Sequence, residues 1–138
     1  MSSNQIVDIK TLSAYRFERA NKELISAKLE KENNNYYAAN NRAYYAIFHA
    51  VRSVLALDNV DFKKHSAVIG YFNKNYILST IFDKKFGSII NNAFELRQSS
   101  DYQDFYMVNK TETEQLITDT ENFINTVKTY LQTQNVAV

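Results

Sequence analysis

Apolar residues recur every three or four positions along most of this chain, the spacing of helices that bury one face. Phe17, Ala20, Leu24 and Ala27 predict a first helix from about Val7 to Glu32, with a charged outer face. The run Asn33-Asn34-Asn35 breaks it and offers an N-cap to the next. Tyr37, Tyr44, Phe48, Val51 and Leu55 predict a second helix from about Tyr36 to Leu57, ended by the turn-forming pair Asp58-Asn59. Val68, Ile69, Phe72 and Tyr76 predict a third from about His65 to Tyr76. Phe86, Ile89, Ile90, Ala93 and Leu96 predict a fourth from about Asp83 to Ser99. After a polar connection, Ser100 to Lys110, Thr111 and Glu114 stand at capping-box spacing before a stripe of Leu116, Phe123, Val127 and Tyr130. An all-α antiparallel bundle of about five helices, with a four-helix-bundle-like core, buries these stripes through short links.

Composition agrees with that pattern. Proline is absent and Gly70 and Gly87 are the only glycines, whereas strand-and-turn folds need both for tight turns. A length of 138 residues suits one domain, taken as residues 1–138. Without cysteine there is no disulfide framework, thiol nucleophile or thiolate metal site. Two histidines and scattered carboxylates lack a ligand spacing, so neither a metal nor a cofactor is expected. Glu112, Glu114, Asp119 and Glu121 read as solvated helix surface. No apolar run approaches the ~20 residues of a membrane span. The start, MSSNQIVDIK, lacks the layout of a secretory signal, so a cytoplasmic protein is expected. A formal charge of +1 gives no bulk pull on nucleic acid, and any phosphate binding must come from a local cluster.

The second helix carries the best candidate for one. At about 100° per residue, Tyr44, Phe48, Val51 and Leu55 share a narrow arc. Asn41, Arg42, Tyr45, His49 and Arg52 share another, centred roughly a quarter to a third of a turn away. An amide, a guanidinium, a phenol and an imidazole therefore stand beside the apolar seam, where a cleft between helices would be lined. Arg42 can hold a phosphate by charge-assisted hydrogen bonds, Asn41 by its amide, Tyr45 by stacking and its hydroxyl, and His49 can transfer a proton. The alternative is structural: a packed, hydrogen-bonded histidine, polar groups that satisfy loops, and Arg52 as a solvated charge. His65 follows Lys63 and Lys64 at a helix N-terminus that favours an anion, or else serves as a cap.

The segment NRAYYAIFHA, residues 41–50, resembles the hallmark of HEPN-domain proteins, small prokaryotic helical bundles. KKHSAVIGYF, residues 63–72, resembles the entry into that family's third helix, and FELRQSSDYQDF, residues 94–105, resembles its later Leu-Arg and Asp-Tyr segment. The resemblance covers nearly the whole chain. It implies a nucleotide- or RNA-binding module, the toxin or partner component of a pair with a small nucleotidyltransferase, acting as a homodimer. Its site residues would be Asn41, Arg42, Tyr45, Lys64, His65, Arg97 and Tyr102.

Many members resemble metal-independent ribonucleases built on an arginine, then four to six intervening residues, then a histidine. In such a reaction a histidine relays protons and an arginine neutralises the transition-state charge. Here Arg97 is followed by Tyr102, and no histidine comes after His65. A phenol is a poor proton shuttle at neutral pH. The late segment therefore reads as a binding variant, or as a plain Arg97–Asp101 helix pair. The alternatives are an active endoribonuclease, with His49 as acid/base and Arg42 or Arg97 as clamp, and a non-catalytic protein-interaction bundle.

Overall fold

A computed structural model of the chain describes residues 2–102 and 107–138, the side chains of residues 5–7 and 102 excepted. Five α-helices follow one another: α1 (Ser3–Glu32), α2 (Tyr36–Leu57), α3 (His65–Phe72), α4 (Lys84–Tyr102) and α5 (Lys110–Thr133). A π-helical turn, Asn73–Ile77, continues α3. Among the described residues there is no strand, and no helix is long and apolar enough to cross a membrane.

α1 and α2 form the most extensive contact in the molecule, and α2 also packs on α3, α4 and α5. The pairs Ser13–Ser53, Arg16–Arg52 and Glu23–Arg42 descend along α2 as they climb α1, so the two helices are antiparallel. Small residues allow this closeness. Ala20 and Ala27 on α1, and Ala39, Ala43, Ala46 and Ala50 on α2, are fully buried. The rest of the core is largely aromatic, with Phe72 among Tyr76, Phe82 and Phe123. Asparagine takes the place of glycine where the chain turns left-handed: Asn34 at φ 62° before α2 and Asn59 at φ 55° after it.

Several boundaries differ from the sequence expectation. α1 begins at Ser3 rather than about Val7, and α4 continues to Tyr102 rather than about Ser99. The third helix widens at Asn73, where Leu78 N–H reaches the carbonyl five residues back at 2.9 Å. Gly87 permits α4 to lie on this turn, because an added Cβ would stand 3.2 Å from Ile77 Cγ2. The expected Thr111 cap is replaced by Asn109, whose side chain accepts from Thr111 N–H at 2.7 Å and Glu112 N–H at 3.3 Å. Asn109→Ala is expected to lower stability by about 1 kcal/mol, read as a shifted urea midpoint. An unchanged midpoint would show that the cap is energetically idle.

Candidate functional site

Three helices bring one cluster together. α2 presents Tyr44, Tyr45 and Phe48, the first turn of α3 presents His65, and α4 presents Arg97. Extended backbone at Lys64, the N-cap, delivers His65 to α2, where its ring stacks on Phe48 with centroids 4.1 Å apart. The Tyr44 hydroxyl lies 2.8 Å from His65 Nδ1, and Arg97 Nη1 lies 3.4 Å from the same atom. The guanidinium also covers the faces of Tyr44 and Tyr45, at 5.1 and 5.4 Å from their centroids.

These contacts fix the protons. A guanidinium only donates, so its approach favours Nδ1 as an acceptor whose one lone pair takes the nearer Tyr44 hydroxyl, with the proton of the neutral ring on Nε2. Burial raises the Tyr44 phenol well above its ordinary value, so it remains protonated and donates to Nδ1. Burial, then Arg97 and Arg52, lower His65 and keep it neutral. The ring can therefore offer an Nε2–H to an oxygen. It cannot act as a base through Nδ1 while both donors stay in place.

Among the described residues, Arg97 keeps one donor without an acceptor. Its Nε is 3.4 Å from Asp101 Oδ2, close enough for an ion pair, yet it is buried with no aligned hydrogen bond to any described residue. Asp101 Oδ1 accepts instead from the Tyr37 hydroxyl at 2.6 Å. Tyr37, expected in the buried stripe, is thus half-exposed and ties α2 to α4.

On the α1 side of α2 stands a second group. His49 is only 6% exposed, and its Nδ1 is buried without a partner among the described residues. Burial first, then Arg19, Arg52, Arg16 and His65, push it down to about 4, so it is neutral at pH 7. The buried Arg16 donates to the Arg52 carbonyl at 3.1 Å, and its Nη2 reaches Asp61 Oδ2 at 3.3 Å. Arg52 Nη2 takes the same carboxylate oxygen at 3.1 Å. Asp61 thereby anchors the loop that leads to Lys63, Lys64 and His65.

The expected site residues are only partly assembled. His65, Arg97 and Tyr45 meet, and His49 lies beside Tyr45 with centroids 6.2 Å apart. Arg42 turns instead to Glu23 of α1, at 3.4 Å, and Asn41 is half-buried. Lys64 is exposed at the start of α3. The side chain of Tyr102 lies outside the described residues. Among the described residues no group of three histidines and carboxylates is placed to hold a metal ion. Sequence reasoning missed Tyr44 as a hydrogen-bond partner and Asp61 as an anchor. The polar tip of a core tyrosine and the acid just before a lysine pair were the available signals.

The chain is similar to known proteins over most of its length. A family model described as the HEPN domain matches residues 13–130. A protein of Thermotoga maritima named UPF0332 protein is 30% identical over 118 residues, 86% of this chain and 89% of that protein. Two proteins of Methanocaldococcus jannaschii, provisionally named toxins, are 32% identical over 119 residues and 33% identical over 125. These alignments cover 86% and 91% of this chain, and 81% and 92% of the relatives.

Proposed function

This chain belongs to the HEPN-domain family, and from that membership we propose that it is a toxin-type module that binds RNA without cutting it. The observation that carries the proposal is the Arg97–His65 contact, 3.4 Å between Nη1 and Nδ1. It joins a phosphate-binding guanidinium to an imidazole whose remaining donor is Nε2–H. Tyr45, half-buried beneath Arg97, holds the guanidinium by its ring. Lys63, Lys64 and Arg52 extend the positive charge along the same side, with Asp61 as local counter-charge. With both histidines lowered and neutral at pH 7, neither supplies the protonated acid that a leaving oxygen needs.

Single-stranded RNA followed by fluorescence anisotropy tests this site. Arg97→Ala is expected to weaken binding about tenfold or more, the loss of a charge-assisted contact. Arg42→Ala, which removes a charge already paired with Glu23, is expected to change affinity by less than about threefold. Wild-type affinity in a folded Arg97→Ala protein would overturn the assignment.

The same Arg–His contact favours one second reading, a metal-independent endoribonuclease. Total RNA incubated with the protein in chelator is expected to stay intact. Cleavage to cyclic phosphates, lost in His65→Ala or His49→Ala, would replace the binding reading with that one. The proposal includes a homodimer and a nucleotidyltransferase partner, checked by sedimentation and by co-purification with the product of a neighbouring nucleotidyltransferase gene.

A further inference from the structure

An open cavity of about 660 Å³ lies at the C-terminal end of α2, apart from the Arg97–His65 cluster. Leu57, Asp58, Tyr71, Tyr76, Ile81 and Tyr130 wall it. Asp58 Oδ2 accepts the Tyr71 hydroxyl at 3.0 Å and the Tyr76 hydroxyl at 2.6 Å. The π-helical turn is what makes this convergence feasible. Five residues of regular α-helix would set these tyrosines about 140° apart, whereas i to i+5 bonding brings such positions closer to one line. Tyr130 meets Tyr76 edge-on, with centroids 5.9 Å apart.

The charge at this place is unbalanced. Asp58 is the C-cap of α2, where the helix dipole is negative and a carboxylate is disfavoured. Among the described residues it has no ion-pair partner, unlike Asp61 and Asp101. Neither phenol supplies a positive charge, and both contact Oδ2, with no hydrogen bond to Oδ1 among the described residues. Burial, then hydrogen bonding to Asp58, raises Tyr71 and Tyr76, so both phenols stay protonated and act as donors. The loop that carries Ile81 holds Thr80 at φ 66°, an unfavourable conformation for a β-branched residue. An exposed, uncompensated carboxylate amid aromatic rings and two aliphatic walls matches the chemistry of an organic cation.

We propose that this cavity binds an organic cation, a guanidinium or primary ammonium on a short aliphatic stem. The head pairs with Asp58, and the stem lies against Leu57, Ile81 and the tyrosine rings. A small metal ion fits less well, because one carboxylate and neutral phenols make a poor donor set.

The test uses the full chain with ring-labelled tyrosines, titrated with butylguanidinium, butylammonium and butylurea and followed by NMR. Butylurea has the shape of butylguanidinium without its charge. Saturable shifts at Tyr71, Tyr76 and Tyr130 are expected with both cations, and butylguanidinium should bind about tenfold or more tighter than butylurea. Asp58→Asn keeps an oxygen for the phenols and should erase that preference. Equal affinity for butylurea, or no saturable shift with either cation, overturns the proposal on the wild-type protein alone. A blocked Gly-Arg-Gly peptide separates the sources. Binding as tight as butylguanidinium supports a protein side chain as the occupant, and exclusion of the peptide supports a free small cation.

Discussion

Acidification from pH 7 to pH 4 is expected to destabilise the fold by about 3 kcal/mol through His49, with half of that loss reached roughly midway between its ordinary and folded values. In the folded protein, burial and the arginines of α1 and α2 lower His49 from 6.5 to about 4. The unfolded chain restores the ordinary value. Between about 4 and 6.5 the unfolded state therefore binds the extra proton, and stability must rise with pH across that window. The contribution is full above about 6.5 and is lost as pH falls toward 4. His65 is lowered too and acts with the same sign. Urea midpoints measured at half-unit pH intervals will show this slope. His49→Gln, a neutral side chain in the same place, should flatten it by more than half even if the variant is less stable overall. An unchanged slope in that variant would mean that His49 is not the neutral, buried group described above.

The second large effect is expected at Arg16. Its side chain is 8% exposed, and it holds both the Arg52 carbonyl and Asp61. Burial and Arg52 push this guanidinium below its usual range, while Asp61 partly restores it. Removing one partner of a fully buried ion pair costs roughly 3 to 5 kcal/mol, because the other is stranded. Asp61 is half-exposed and can be rescued by water, so Arg16→Ala is expected to cost about 2 to 3 kcal/mol. Asp61→Asn keeps an acceptor oxygen and should cost less than about half as much. Equilibrium unfolding in urea measures both. A loss below about 0.5 kcal/mol for Arg16→Ala would show that α1 does not anchor the loop before His65.

The helices were legible because their stripes are periodic and their breaks are rich in asparagine. α2 carried its expected bounds, Tyr36 to Leu57, and its buried face includes Tyr44, Phe48, Val51 and Leu55 as expected. What periodicity could not reveal is how much of α2 is covered. A single-stripe reading treats His49 and Ser53 as flank positions, yet alanines on both helices let α1 close over them. The family resemblance grouped His65 with Arg97 in one expected site, but periodicity could not show their direct contact, since they stand 32 positions apart and meet only when α3 and α4 pack on α2. The spacing that the resemblance implies is read along one stretch of sequence, and a linear search after Arg97 meets Tyr102 and no histidine. Tyr76 shows a related limit. Its stripe position was correct, but the wider turn that brings its hydroxyl to Asp58 leaves no mark in a pattern of apolar spacing.

The most direct test of an RNA-holding role at the Arg97–His65 cluster is the side-chain nitrogen spectrum of the two histidines, recorded at pH 7 with and without single-stranded RNA. The free protein should show His65 as the neutral form protonated on Nε2. Saturating RNA should shift that Nε2–H resonance, and Arg97→Ala should abolish the shift. A His65 spectrum unchanged by RNA that is demonstrably bound would contradict the site.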